Sequence, residues 1–152
     1  MVPAQASLLA KLDTQERVRD FLTNAVASGR ASHAYLFLGA PGAGKLDAAW
    51  ALAQAFLCEQ DGCGSCDSCV RVARHTHPDV HYYTPESATG YLIAQTRELL
   101  DDVPLAPIRA KAKVYIIDRA EQLRANTANA LLKTLEEPPE GVMFILLGTS
   151  AD

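Results

Sequence analysis

The residues Gly39-Ala-Pro-Gly-Ala-Gly-Lys-Leu46 fit the pattern of a phosphate-binding loop at every required position but the last. In that pattern, glycines let backbone N–H groups approach phosphate oxygens and a lysine reaches the terminal phosphates. A Ser or Thr hydroxyl then helps to hold Mg²⁺. Leu46 offers no oxygen. The flanks constrain the fold further. Ala34-Tyr-Leu-Phe-Leu38 is a short apolar run bounded by Gly39, which predicts a strand buried on both faces of a parallel sheet. The Ala-rich stretch Lys45 to Leu57 has high helix propensity. Strand, Gly-rich loop and helix in that order is the context such a loop requires.

The rest of the chain repeats the alternation. Val18, Phe21, Leu22, Ala25 and Val26 form one helical face, with Asp13 or Thr14 as N-cap and Gly29 as stop. Val80–Tyr83 is a short strand between Pro78 and Pro85. Leu92, Ile93, Leu99, Leu100 and Val103 mark a second helical face, ended by Pro104. Lys113-Val-Tyr-Ile-Ile-Asp118 is a buried strand ending in a carboxylate. Ala128, Leu131, Leu132 and Leu135 line a further helix, stopped by Pro138-Pro139, and Val142–Leu147 is a last apolar strand. Such alternation predicts an α/β fold with right-handed crossovers, a parallel sheet and helices on both faces. The chain stops at Asp152 just after a strand, which reads as a domain cut from a longer protein.

A phosphate-binding loop works with an acid at the end of a neighbouring strand, which holds Mg²⁺ through water. Asp118 fits that position, and Asp47 adds a like charge near the phosphates. In many ATPases the following residue is a Glu that activates the attacking water. Here it is Arg119, which cannot accept a proton, and Glu121 stands at the wrong offset. Two positions needed for hydrolysis have changed while the phosphate-cradling ones remain. The loop therefore either seats ATP or ADP or is kept for structure alone, and the substitutions argue against Mg²⁺.

Cys58, Cys63, Cys66 and Cys69 follow C-x4-C-x2-C-x2-C, with Gly62 and Gly64 easing the tight path. Four thiolates suit one tetrahedral Zn²⁺ in a structural role, because no ligand position stays open for catalysis. An iron–sulfur cluster is the chemical rival. His75, His77 and His81 lie nearby and are expected to be packed or exposed rather than ligating. With 152 residues, 49% of them hydrophobic, the chain is long enough for one packed domain. A net charge of −4 argues against a free-standing nucleic-acid binder. No run approaches the ~18 apolar residues of a membrane span, and the N-terminus lacks a signal-peptide pattern. The expectation is a soluble cytoplasmic protein with no membrane partner.

These motifs, with His33-Ala-Tyr-Leu-Phe37, Ile93, Arg97-Glu-Leu99 and above all Asn129-Ala-Leu-Leu-Lys-Thr-Leu-Glu-Glu-Pro-Pro139, resemble the N-terminal ATPase domain of bacterial clamp-loader subunits. Those subunits are AAA+ proteins of the DNA polymerase III holoenzyme. The resemblance implies an α/β P-loop NTPase-type parallel sheet with a small four-Cys zinc insert. Residues 1–152 would be the N-terminal domain, with the zinc module at 58–69 and the lid and collar domains absent. It implies a nucleotide site at Gly39, Ala40, Pro41, Gly42, Ala43, Gly44, Lys45, Leu46 and Asp118, and a zinc site at the four cysteines. Leu46 and Arg119 point to the non-hydrolysing delta-prime branch, with no catalytic residue; the alternative is an active gamma/tau-like ATPase. Implied partners are the gamma/tau and delta subunits, and through the assembly the sliding clamp and primed DNA. The family's arginine finger lies in a Ser-Arg-Cys motif beyond the last strand, so no residue here takes that role. Thr149 sits at the sensor-1 position, where a strand-end hydroxyl capping backbone is an equal reading. For Arg124 and Lys133 a solvated helix face outweighs DNA contact.

Overall fold

The computed structural model describes residues 7, 8, 12, 16–40 and 43–149. Helices α1 (Glu16–Ala27), α2 (Lys45–Leu57), α3 (Asp67–Ala73), α4 (Ile93–Asp102) and α5 (Ala125–Glu136) accompany strands β1 (Ala34–Leu38), β2 (Val80–Tyr83), β3 (Lys113–Ile117) and β4 (Val142–Gly148). The strands form one sheet in the order β1-β4-β3-β2. Every pairing is parallel, with Tyr35 opposite Ile145, Ile116 opposite Ile145 and Tyr82 opposite Ile116.

The period of two along β3 and β4 separates two apolar layers. Val114, Ile116, Met143, Ile145 and Leu147 pack with Leu22 and Val26 of α1 and with the alanine-rich face of α2. Tyr115, Ile117, Val142 and Phe144 pack on the other side with Leu99 of α4 and Leu131 of α5. Helices thus cover both faces, as the alternating sequence predicts. Ala49, Ala51, Ala53 and Ala55 are fully buried, so α2 lies close against the sheet and its loop is held at the strand ends. Truncating Leu52 to Ala within this layer would cost about 3 kcal/mol.

Gly29 stops α1 as expected: at φ 72° it carries bonds from Gly29 N–H to Val26 O (3.1 Å) and Arg30 N–H to Ala25 O (2.9 Å). The expected N-cap at Asp13 or Thr14 lies outside the described residues.

Several expectations need correction. β1 is not buried on both faces. It is an edge strand among the described residues, and Leu36 is 59% exposed, with Leu38 exposed beside it. Tyr35 and Phe37 pack towards α1 and α2, while Leu36 and Leu38 face the side where the α4–α5 layer does not reach. A continuous apolar run records apolar faces and carries no mark of whether both edges are paired. Phe21 (63% exposed), Leu92, Ile93 and Leu132 also lie open although they share a helical period with core residues. Each sits at the margin of a stripe only part of which meets the sheet. α3 was not anticipated; its seven residues are too short to show a period.

Candidate functional site

The loop after β1 turns into α2 through Gly44, whose φ of 89° is left-handed and open to glycine without strain. Lys45 folds back across the loop. Its Nζ donates to Gly39 O at 2.6 Å and to Gly148 O at 2.9 Å, tying the end of β1 to the end of β4. Leu46 turns its side chain against the α1–α2 layer. Pro41 and Gly42 lie outside the described residues.

Gly44, Lys45, Leu46 and Asp118 do come together. With Asp47, Arg119, Glu121, Gln122, Leu147 and Thr149 they line an open cleft of 690 Å³ at the C-terminal ends of the strands. Ligands of open α/β sheets bind at that end. The cleft carries two cationic side chains, Lys45 and Arg119, against three carboxylates, Asp47, Asp118 and Glu121. That balance is poor for a polyanion.

Asp118 follows β3, and its backbone is fixed by a bond from Asp118 N–H to Tyr83 O (2.8 Å) and by the Tyr91 hydroxyl donating to Asp118 O. Its carboxylate is engaged on both oxygens. Oδ2 accepts from the Tyr82 hydroxyl at 2.9 Å and Oδ1 from the Arg119 N–H at 2.9 Å. Arg119 itself holds a left-handed φ of 48°. Leu46 supplies no oxygen for a Mg²⁺ ion, and the two donors on Asp118 leave one free lone pair on each oxygen. Sequence reasoning missed Tyr82 because 36 residues separate it from Asp118; only the β2–β3 register brings them together.

The four cysteines converge at the other end of α2. Their Sγ atoms all lie within 4.8 Å of one another, with Cys58–Cys66 at 3.9 Å and Cys63–Cys69 at 4.0 Å. Sulfurs about 2.3 Å from one tetrahedral Zn²⁺ would be ~3.8 Å apart. A multi-iron cluster would hold them farther apart. Backbone N–H groups point at the sulfurs, from Gln60 and Cys63 to Cys58, from Cys66 to Cys63 and from Cys69 to Cys66, at 3.3–3.4 Å. Such bonds stabilise thiolates, the form that binds metal. The N–H groups of Ser65 and then Cys66 draw the Cys63 thiol down to about 6. Burial pushes Cys66 and Cys69 up. Gly62 (φ 99°) and Gly64 (φ 86°) make the left-handed turns of this path.

The module is seated by buried polar groups. Gln54 of α2 donates to Cys69 O at 3.0 Å and accepts from Leu8 N–H at 2.9 Å. Asp79, fully buried, accepts from the N–H groups of Ile108 (2.5 Å), Arg109 (2.7 Å) and Ala110 (2.7 Å). Burial alone would raise its pKa, but those N–H groups outweigh it and hold the carboxyl below its usual range. Arg109 then reaches Asp67 at 2.8 Å. The three nearby histidines have other partners. His75 stacks on Trp50 at 3.8 Å, His77 accepts the Asp79 N–H at 3.0 Å, and His81 approaches Asp102 at 3.2 Å. Arg124, the N-cap of α5, and Lys133 on that helix are both exposed.

A profile of the family described as "DNA polymerase III, delta subunit" matches residues 14–152. The chain is 41% identical over 138 residues to DNA polymerase III subunit delta' of Bacillus subtilis, spanning 89% of this chain and 42% of that protein. It is 43% identical over 139 residues to DNA polymerase III subunit tau of Escherichia coli, spanning 89% and 21%. A solved DNA polymerase III gamma subunit-related protein from Thermotoga maritima shares the fold, with a TM-score of 0.57 at 20% identity over 86% of this chain and 38% of that one. The chain therefore spans less than half the length of these relatives. No helix among the described residues is long and apolar enough to cross a membrane. With its parallel α/β sheet, loop-to-helix cleft and four-cysteine insert, the chain belongs to the clamp-loader family of DNA polymerase III subunits.

Proposed function

We propose that the chain is the N-terminal domain of a non-hydrolysing, delta-prime-like clamp-loader subunit. It would act in the cytoplasm within an assembly of gamma/tau and delta subunits that places the sliding clamp on primed DNA. The observation that carries this reading is the cleft's missing hydrolytic set. Leu46 offers no oxygen and packs partly against the α1–α2 layer, Arg119 stands where a water-activating Glu would be, and Asp118 is hydrogen-bonded on both oxygens. The cysteines hold one structural Zn²⁺, supported by sulfur separations near those of a single tetrahedral ion. Any nucleotide is bound weakly, because phosphates must draw Lys45 away from two carbonyl partners. Purified protein should show no ATP turnover above a Lys45→Ala control. Turnover abolished by that substitution would overturn the reading. The gamma/tau-like alternative is favoured by the retained Lys45 and by the identity to tau, and the same assay decides between them.

A further inference from the structure

We propose that Tyr82 is a partial plug of the cleft's cation position, holding Asp118 in a pairing that competes with a divalent metal. The inference deepens the non-hydrolysing reading and rests on it.

Tyr82 lies on β2 opposite Ile116, two residues before Asp118, so parallel register carries its hydroxyl to the carboxylate. The phenol donates to Oδ2 and the Arg119 N–H to Oδ1, both at 2.9 Å. Each oxygen keeps a second lone pair, so the two donors compete with a metal-bound water for the carboxylate's charge and orientation without filling it. A cation also repels the protons already pointing at those oxygens.

The plug is braced from behind. The Tyr82 ring meets Trp50 of α2 at 5.9 Å and 39°, and Trp50 lies flat on His75 at 3.8 Å and 9°. Trp50 is buried, and His75 is fixed at φ 58° where the chain leaves α3. Thr76 N–H to Arg71 O (2.8 Å) and His75 N–H to Val72 O (3.0 Å) close that turn. Leu46 withholds an oxygen from the metal, Arg119 removes the base, and Tyr82 draws on the charge of the remaining acid.

The test is ATP binding to the 152-residue chain by calorimetry, with Mg²⁺ and with EDTA, in wild type, Tyr82→Phe, Asp118→Asn and the double variant. Phe keeps the Trp50 contact and removes only the donor. Wild type should give nearly the same Kd in both buffers. In Tyr82→Phe, Mg²⁺ should tighten binding about tenfold, roughly 1.4 kcal/mol. That gain should vanish in the Asp118→Asn background, where the shared partner is gone. An unchanged Mg²⁺ ratio in Tyr82→Phe overturns the proposal, as does a gain that persists with Asp118→Asn. If Tyr82→Phe binds no ATP in either buffer, the hydroxyl gates nothing and the proposal also falls. Failure of the underlying reading looks different: wild-type ATP turnover that depends on Lys45.

Discussion

α2 runs from the glycine-rich loop at Lys45 to the cysteine module at Cys58, and its two ends differ in completeness. At the C-terminal end four sulfurs gather at the spacing of one metal ion, with backbone donors aimed at them. At the N-terminal end the lysine and glycines are kept, but the hydroxyl and the water-activating acid are not. The contrast teaches how differently two sites tolerate loss. A structural metal contributes directly to folding, so losing one thiolate weakens the whole domain. A catalytic hydroxyl contributes little to folding, and in its place Leu46 adds a core contact.

The largest effect should come from breaking the complete end. Cys69→Ser, or stripping metal with a chelator, should destabilise the domain by about 4 kcal/mol, lowering the melting temperature by on the order of 10 °C. Metal analysis of the untreated protein should return about one zinc per chain. Iron, or a melt that chelator leaves unmoved, would remove the contrast between the two ends.

Next in size is the support of that end. Asp79→Ala leaves three backbone donors without their acceptor and should cost about 3 kcal/mol by denaturant melting at neutral pH. Because the folded-state pKa of Asp79 is depressed, its stabilisation is present above the unfolded value near 3.9 and is lost as pH falls through the folded value. The gap between wild type and variant should therefore be full at neutral pH and close below about pH 4. A gap independent of pH would show that the carboxylate's charge is not what holds the 108–110 segment.

At the incomplete end, Lys45→Ala should destabilise the nucleotide-free protein by about 1–2 kcal/mol, through the two bonds to Gly39 O and Gly148 O. No loss would mean that the lysine is held for a ligand and not for the fold. Smallest of all, ATP at about 1 mM should raise stability by under about 1 kcal/mol, equally with Mg²⁺ and with EDTA. A shift of several degrees that needs Mg²⁺ would turn the cleft back into a working ATP site.

Much of this was legible before any coordinates. Cysteine spacing and the buried runs at β3 and β4 are local signals, and each reappears where the sequence places it. What escaped depends on distant partners. Whether Leu36 is covered depends on what lies beside β1, and whether Ile93 is covered depends on the tilt of α4; neither is encoded in their own periods. Asp118 reads correctly as a strand-end acid, but its pairing with Tyr82, and the Trp50–His75 stack behind it, arise only from strand register and helix placement. Asp79 has the same history, since its donors lie about thirty residues downstream.

Gln54 gives the cysteine module a reach beyond its own loop. Its single buried amide is shared between Cys69 O and the N–H of Leu8, 46 residues earlier. Loosening the module would release that side chain and with it the acceptor of the Leu8 N–H. The exchange rate of the Leu8 amide proton is thus a local gauge of whether the distant thiol cluster is intact.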